Sequence, residues 1–426
     1  MRVLFTSLEG SHVNLMVPTA WALRTAGHEV LAACKPEVVP TVTQAGLTAV
    51  PIDCPPFQDL LSPFQQEAIG YYNAADPSTN EQFHSAWEEL LAYETIIVPS
   101  LYAPLNHDIM IDRLVELARR WRPDLVIWET LCLAGAVAAV SSGAAHARLV
   151  AGPEQTMQMR TRREFTRQAE AQPEEHREDP TAEWLNWTLE RVGSDRRFDE
   201  TMLTGQWTID TRPPSLREDI GMDAIAARYV PYNGRCVVPD WLCEPPRRPR
   251  VCLTLGVSIT SDYELFDLDR MLGTILLTLA ELDIEIVAAI ADSQRAQLPP
   301  IPDNVRVTDF VPLNELLPSC SAVVHHGGYQ TKATAELHGI PQVIVCGWEW
   351  VSETMGKDYE EQGTLLSIPI RQLTAARLSE KVMRVLNEPS FAENARRLRQ
   401  EILAMPTPND IVPLIEKMTD RHGVGP

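Results

Sequence analysis

The run Val323-Val324-His325-His326-Gly327-Gly328-Tyr329-Gln330-Thr331 sets two imidazoles and two glycines where an apolar strand breaks into a turn that opens a helix. A corner of this kind suits an anion. Glycines let the backbone approach closely, the first helical amides lack intrahelical partners, and the helix dipole puts partial positive charge at that end. His326 would add a side-chain donor. An ordinary strand-to-helix turn with two incidental histidines shares the pattern, so its setting must decide. A third imidazole, His12, stands in Ser11-His12-Val13-Asn14 after the first apolar run. Near neutral pH an imidazole with an ordinary pKa near ~6.5 could take a proton from a hydroxyl; alone, a loop histidine is more often a polar surface residue than a base. Asp267-Leu268-Asp269 is a D-x-D triplet of the sort that can hold a divalent ion, but it precedes a helix-like run where acidic residues favour a helix start for plain electrostatic reasons. The bland reading is preferred there.

Composition narrows the chemistry. With 426 residues, more than one hydrophobic core usually serves, two domains are expected. A formal charge of -21 would repel a nucleic-acid backbone or an anionic membrane, and no block of Lys and Arg offsets it. The most apolar stretch, 131–140, has about half the length of a bilayer-spanning helix, and Met1 leads straight into a strand-like run in place of a signal peptide, so a cytoplasmic location is expected. Cysteines 34, 54, 132, 236, 243, 252, 320 and 346 form no Cys-x-x-Cys pair and read as free thiols; no zinc pattern is present.

The elements that must position these residues alternate. A strand over 2–7 is followed by a loop through Gly10 and His12, a helix over about 17–26, a strand over 28–33 and another over 47–51. Helix 112–121, strand 125–128 and a small-residue helix over 134–141 repeat the unit, as in a parallel doubly wound sheet. Residues 57–106 exceed an ordinary crossover and carry Phe64, Tyr71, Tyr72, Phe83, Trp87 and Tyr93. Residues 160–179, dense in Arg, Glu and Gln, read as a solvated loop. Four prolines in 232–250 mark a linker. Strands over 251–255, 285–290, 305–307, 322–324 and 342–345 then make a second α/β domain, and a helical pattern from 411 is placed to fold back on the first.

Several separated motifs, in order, carry a resemblance over nearly the whole chain. They run from Met1-Arg2-Val3-Leu4-Phe5-Thr6-Ser7 with 17–30, through 121–129 and Pro231-Tyr232-Asn233-Gly234, to 301–306, 310–318 and the His-Gly-Gly corner. The chain resembles the GT-B glycosyltransferases of family 1, within them the bacterial enzymes that attach deoxysugars to macrolide and related polyketide antibiotics, and most of all the transferases of amino-deoxysugars such as desosamine and mycaminose.

The resemblance implies an α/β GT-B fold, two Rossmann-like domains facing across a cleft: residues 1–231 for the acceptor, 251–407 for the nucleotide sugar, and 408–426 as a helix returning to the first domain. It implies an inverting enzyme that moves a deoxysugar from a dTDP-sugar donor to a polyketide aglycone without a metal. His12 matches the family's catalytic base and Glu129 the carboxylate that orients it, where many members have aspartate; a glutamate capping the following helix is an equal reading. His326, Gly327, Gly328 and Thr331 match the diphosphate segment, and Val311 and Pro312 fall where backbone meets the base. Glu349 is the preferred equivalent of the acidic residue that binds donor-sugar hydroxyls, although the usual acidic-Gln dipeptide is absent and Tyr329-Gln330 replaces a small residue and glycine. Amino-deoxysugar transferases commonly work with a haem-free helper related to cytochrome P450s, so such an activator and a homodimer are further expectations. A non-catalytic homologue that binds nucleotide sugar and aglycone, a nucleotide-sugar 2-epimerase and a C-glycosyltransferase on an aromatic polyketide stay open.

Overall fold

The computed structural model describes residues 1–55, 87–150, 152, 154–217, 223–255, 268–295, 298–346 and 360–423. They divide into two compact units, Met1–Arg212 with Arg217–Gly234 and Pro406–Pro426, and Pro213–Leu216 with Arg235–Met405. The strands of the first are β1 (Arg2–Ser7), β2 (Glu29–Cys34), β3 (Ala49–Pro51), β4 (Leu125–Glu129), β5 (Ala145–Val150), β6 (Trp207–Asp210) and β7 (Ala224–Ala226). All pair in parallel, in the order β3-β2-β1-β4-β5-β6-β7. The second unit has β8 (Arg250–Thr254), β9 (Glu285–Ala289), β10 (Val305–Thr308), β11 (Ala322–His325), β12 (Gln342–Cys346) and β13 (Leu365–Pro369), again parallel, in the order β10-β9-β8-β11-β12-β13.

In each sheet the chain runs outward one way, returns to the middle and continues the other way. The reversal leaves a crevice at the carboxyl ends of the two central strands, the place where open parallel sheets bind ligands. In the first unit those strands are β1 and β4, in the second β8 and β11. Burial on both faces explains the composition: β4 (Leu-Val-Ile-Trp-Glu) and β8 (Arg-Val-Cys-Leu-Thr) are enclosed at every position. Separate cores underlie the two sheets, one around Val126, Trp128 and Leu114, the other around Leu253, Leu276 and Val324.

Two local expectations are corrected. His12 is not in a loop, because the helix begins at Gly10 and runs to Thr25 with Pro18 inside it. Proline usually opens a helix, which is why the sequence pattern starts this one late. Residues 160–171 are not a solvated loop, while 173–178 form the exposed connection expected: the helix Glu154–Ala171 carries Arg162 inward, bonded to Asp179 at 2.9 and 2.6 Å and to Glu200 at 2.7 Å, with Glu94 at 3.4 Å. A single guanidinium thus anchors the helix Trp87–Ile97 and the cap of the helix Pro180–Arg191, and burial raises the pKa of Glu94 despite the arginine beside it. Of the aromatic insertion, Phe64, Tyr71, Tyr72 and Phe83 lie outside the described residues; Trp87 stacks on Phe165 with ring centres 5.2 Å apart. Among the described residues no helix is long and apolar enough to cross a membrane.

Candidate active site

Glu129 ends β4 and is 3% exposed. Oε1 accepts the Leu8 amide at 3.3 Å, Oε2 accepts the Leu131 amide at 2.8 Å, and Oε2 also lies 3.3 Å from Nδ1 of His12. The imidazole contact is at ion-pair distance without being an aligned hydrogen bond. Main-chain amides on both sides fix the carboxylate, and His12, on the first turn of Gly10–Thr25 with a third of its side chain exposed, meets it from across the crevice between β1 and β4.

The alternative role of Glu129 as a helix cap does not hold. The helix Leu133–Ser142 has Cys132 as its cap residue, with no side-chain capping bond there. Its Ala134 amide is taken by Oδ1 of Asn106 at 2.9 Å, whose amide nitrogen donates to the carbonyls of Tyr102 and Leu131, each at 2.9 Å. Asn106 is 1% exposed and organises the loop after β4. Sequence reasoning overlooked it, because a single asparagine between helical stretches carries no signal of its distant partners.

In the second unit the corner follows β11. His325 is fully enclosed; its Nδ1 accepts the Gly327 amide at 3.1 Å, so Nε2 carries the proton and donates to Oε1 of Gln342 at 2.9 Å. Burial pushes its pKa down to about 3, with further lowering from His326. The neutral ring therefore pins the turn, a role the sequence did not reveal. Gly327 has φ of +101°, in the left-handed region that a side chain would strain. Gly328 caps the helix Tyr329–His338 and lies under the His326 ring: a Cβ there would stand 2.5 Å from Nε2 and 2.8 Å from Cε1. Burial lowers His326 to about 4, opposed by a main-chain bond with Thr254.

The structure therefore gathers His326, Gly327, Gly328 and Thr331 at one helix start, without any side-chain capping bond from Gly328. Val311 is enclosed in an apolar cluster with Cys252, Val287 and Leu316, leaving only its main chain for a ligand. Pro312 caps the short helix Leu313–Leu316, and its carbonyl accepts the amides of Glu315 and Leu316, both at 3.0 Å. Glu349 and Asp267 lie outside the described residues, and Asp269 is described only as helix backbone.

Residues 21–256 match the N-terminal domain of the erythromycin biosynthesis protein CIII-like family, and residues 273–418 match its C-terminal domain. The chain is 46% identical to a 10-deoxymethynolide desosaminyltransferase of Streptomyces venezuelae, over 99% of this chain and 98% of the relative. It is 43% identical to an aclacinomycin-T 2-deoxy-L-fucose transferase of Streptomyces galilaeus, over 99% and 97%. The crystal structure of the glycosyltransferase VinC in complex with dTDP superposes with a TM-score of 0.83 at 35% identity, covering 99% of this chain and all of VinC. Two parallel-sheet α/β units accord with these likenesses. The chain belongs to the erythromycin biosynthesis protein CIII-like family of GT-B glycosyltransferases.

Proposed function

We propose that the protein transfers a deoxysugar, amino-substituted in our reading, from a dTDP-sugar to a hydroxyl of a polyketide aglycone, with inversion at the anomeric carbon. Relatives named for desosamine and 2-deoxy-L-fucose support a deoxysugar, and VinC in complex with dTDP supports the nucleotide. The observation that carries the chemistry is the approach of His12 to Glu129, 3.3 Å apart at the switch point of the first sheet. With Nδ1 turned toward the carboxylate, Nε2 is the nitrogen that accepts the hydroxyl proton as oxygen attacks the anomeric carbon. Glu129 orients the ring and stabilises the imidazolium that forms. The sugar-phosphate bond breaks in the same step, and charge gathers on the leaving diphosphate.

Helix amides at Gly328 and the His326 ring would meet that charge, a role that is often a large catalytic contribution. In this scheme they do so without a metal ion. Thr331 adds a hydroxyl, the main chain of Val311 and Pro312 receives the base, and Glu349 binds the sugar. Residues 57–106 are our candidate for docking a haem-free activator, and the stacking of Trp87 on Phe165 shows that this aromatic packs within its own unit. Incubation with a panel of dTDP-deoxysugars and polyketide aglycones, read by mass spectrometry, tests the proposal. A glycosylated aglycone plus dTDP is the expected product; dTDP release with no sugar on any acceptor would count against it.

A further inference from the structure

The helix that opens at Gly328 carries a charge pair that its own stability does not explain. Lys332 and Glu336 are enclosed, their side chains 0% and 2% exposed, with Nζ 2.7 Å from Oε1. Nζ also lies 5.5 Å from the centre of the Tyr329 ring, at the first residue of the helix. Desolvating two ions is costly, and apolar residues of similar volume commonly serve a core as well or better. The direction of the pair adds to the cost. A glutamate preceding a lysine by four residues supports a helix, whereas here the cation comes first, near the end that is already positive.

Both features acquire a purpose if an anion sits at the helix start. The pair and the helix dipole then point the same way, positive toward Gly328, and both attract that anion. The imidazoles at the corner are held neutral by burial, so neither supplies a resident charge. We infer that Lys332 and Glu336 are positioning residues for the donor: a buried, oriented dipole one turn behind the corner that strengthens its hold on a nucleoside diphosphate. This rests on the reading of the corner as the diphosphate site.

Two double variants test it by calorimetry with dTDP and with thymidine, alongside thermal unfolding. Lys332→Met/Glu336→Leu removes the pair in a volume-conserving way, and Lys332→Glu/Glu336→Lys reverses it. Removal should weaken dTDP binding roughly two- to fivefold, the range for a charge at a helix end, and reversal should weaken it more. Thymidine, which lacks the diphosphate, should bind as to the wild type, and the melting temperature of the reversed variant should not fall. Unchanged dTDP affinity in the apolar variant, or equal loss for dTDP and thymidine, overturns the inference. A wild-type protein that binds no dTDP would instead overturn the diphosphate reading beneath it.

Discussion

If His326 touches the diphosphate, dTDP binding must be coupled to proton uptake, and the size of the coupling follows from the structure. In the unliganded corner, burial holds the imidazole down to about 4. A unit charge at about 4 Å with an effective dielectric near ~20 contributes about 4 kcal/mol, or about three pKa units in favour of the imidazolium. His326 is only partly enclosed, so solvent screening that halves this value sets the lower bound. The bound ring then titrates between about 5.5 and about 7. Because the complex binds the proton more tightly than the free protein does, affinity rises as pH falls. From pH 7.5 to pH 5 the gain is between about fourfold and about seventyfold by linkage.

The assay is isothermal titration at three pH values in buffers of different ionisation enthalpy, with wild type and His326→Gln compared at each. The comparison is needed because dTDP has its own phosphate proton, with a pKa near ~6, which both proteins see alike. The difference between the two profiles belongs to His326. Identical pH profiles and identical proton uptake would refute the contact, whatever the absolute affinities.

The remaining predictions concern the base, the cap, the metal and acid stability. His12→Ala should lower kcat by about 10²- to 10⁴-fold while dTDP affinity holds, since a general base acts in the transition state; near-normal turnover would remove His12 from the mechanism. Gly328→Ala should displace the His326 ring, because the new methyl would stand 2.5 Å from Nε2. It should therefore weaken dTDP binding in the wild type and add little in a His326→Ala background; additive losses in the double variant contradict the packing. Turnover should survive treatment with EDTA and desalting, and loss restored by magnesium would revive a role for Asp267 and Asp269. Finally, His146 and His325 titrate at about 4 and about 3 because burial disfavours their charged forms. The unfolded chain then binds more protons below pH ~6.5, so stability is lost as pH falls through that value toward 4. The loss reaches about 3 kcal/mol per site, and urea midpoints that stay flat from pH 7 to pH 5 would exclude it.

The strands that read clearly from sequence are those buried on both faces without interruption, such as β1, β4 and β11. β5 did not, because His146 and Arg148 break its apolar run. Both are nonetheless 2% exposed, with Arg148 donating to the Leu203 carbonyl and to Met159 Sδ, each at 3.0 Å. A buried strand that carries polar side chains, one of them bonded to distant partners, looks like a surface strand in sequence. The helix Glu154–Ala171 was hidden the same way, since the carboxylates that neutralise Arg162 come from other segments. At the site, the corner was legible because its residues are adjacent, and residue types with the family resemblance singled out His12 and Glu129. Their meeting was not legible, since it depends on β1 and β4 lying side by side. Lys332 and Glu336 went unread, since a lysine and a glutamate four residues apart give no sign in sequence that the fold encloses both.

The first unit is closed by a helix synthesised after the second unit is complete. Val412–His422 packs with Val412 and Ile415 buried, Glu416 2.9 Å from His28, and the His422 ring 5.8 Å from that of Trp207. On the ribosome its seat stays open while Arg235–Met405 emerges, about ten to thirty seconds at ~5–20 residues per second. An apolar surface held open that long is a binding site for chaperones and for other nascent copies, so the yield of folded protein will depend on what is fused to, or trimmed from, the carboxyl end.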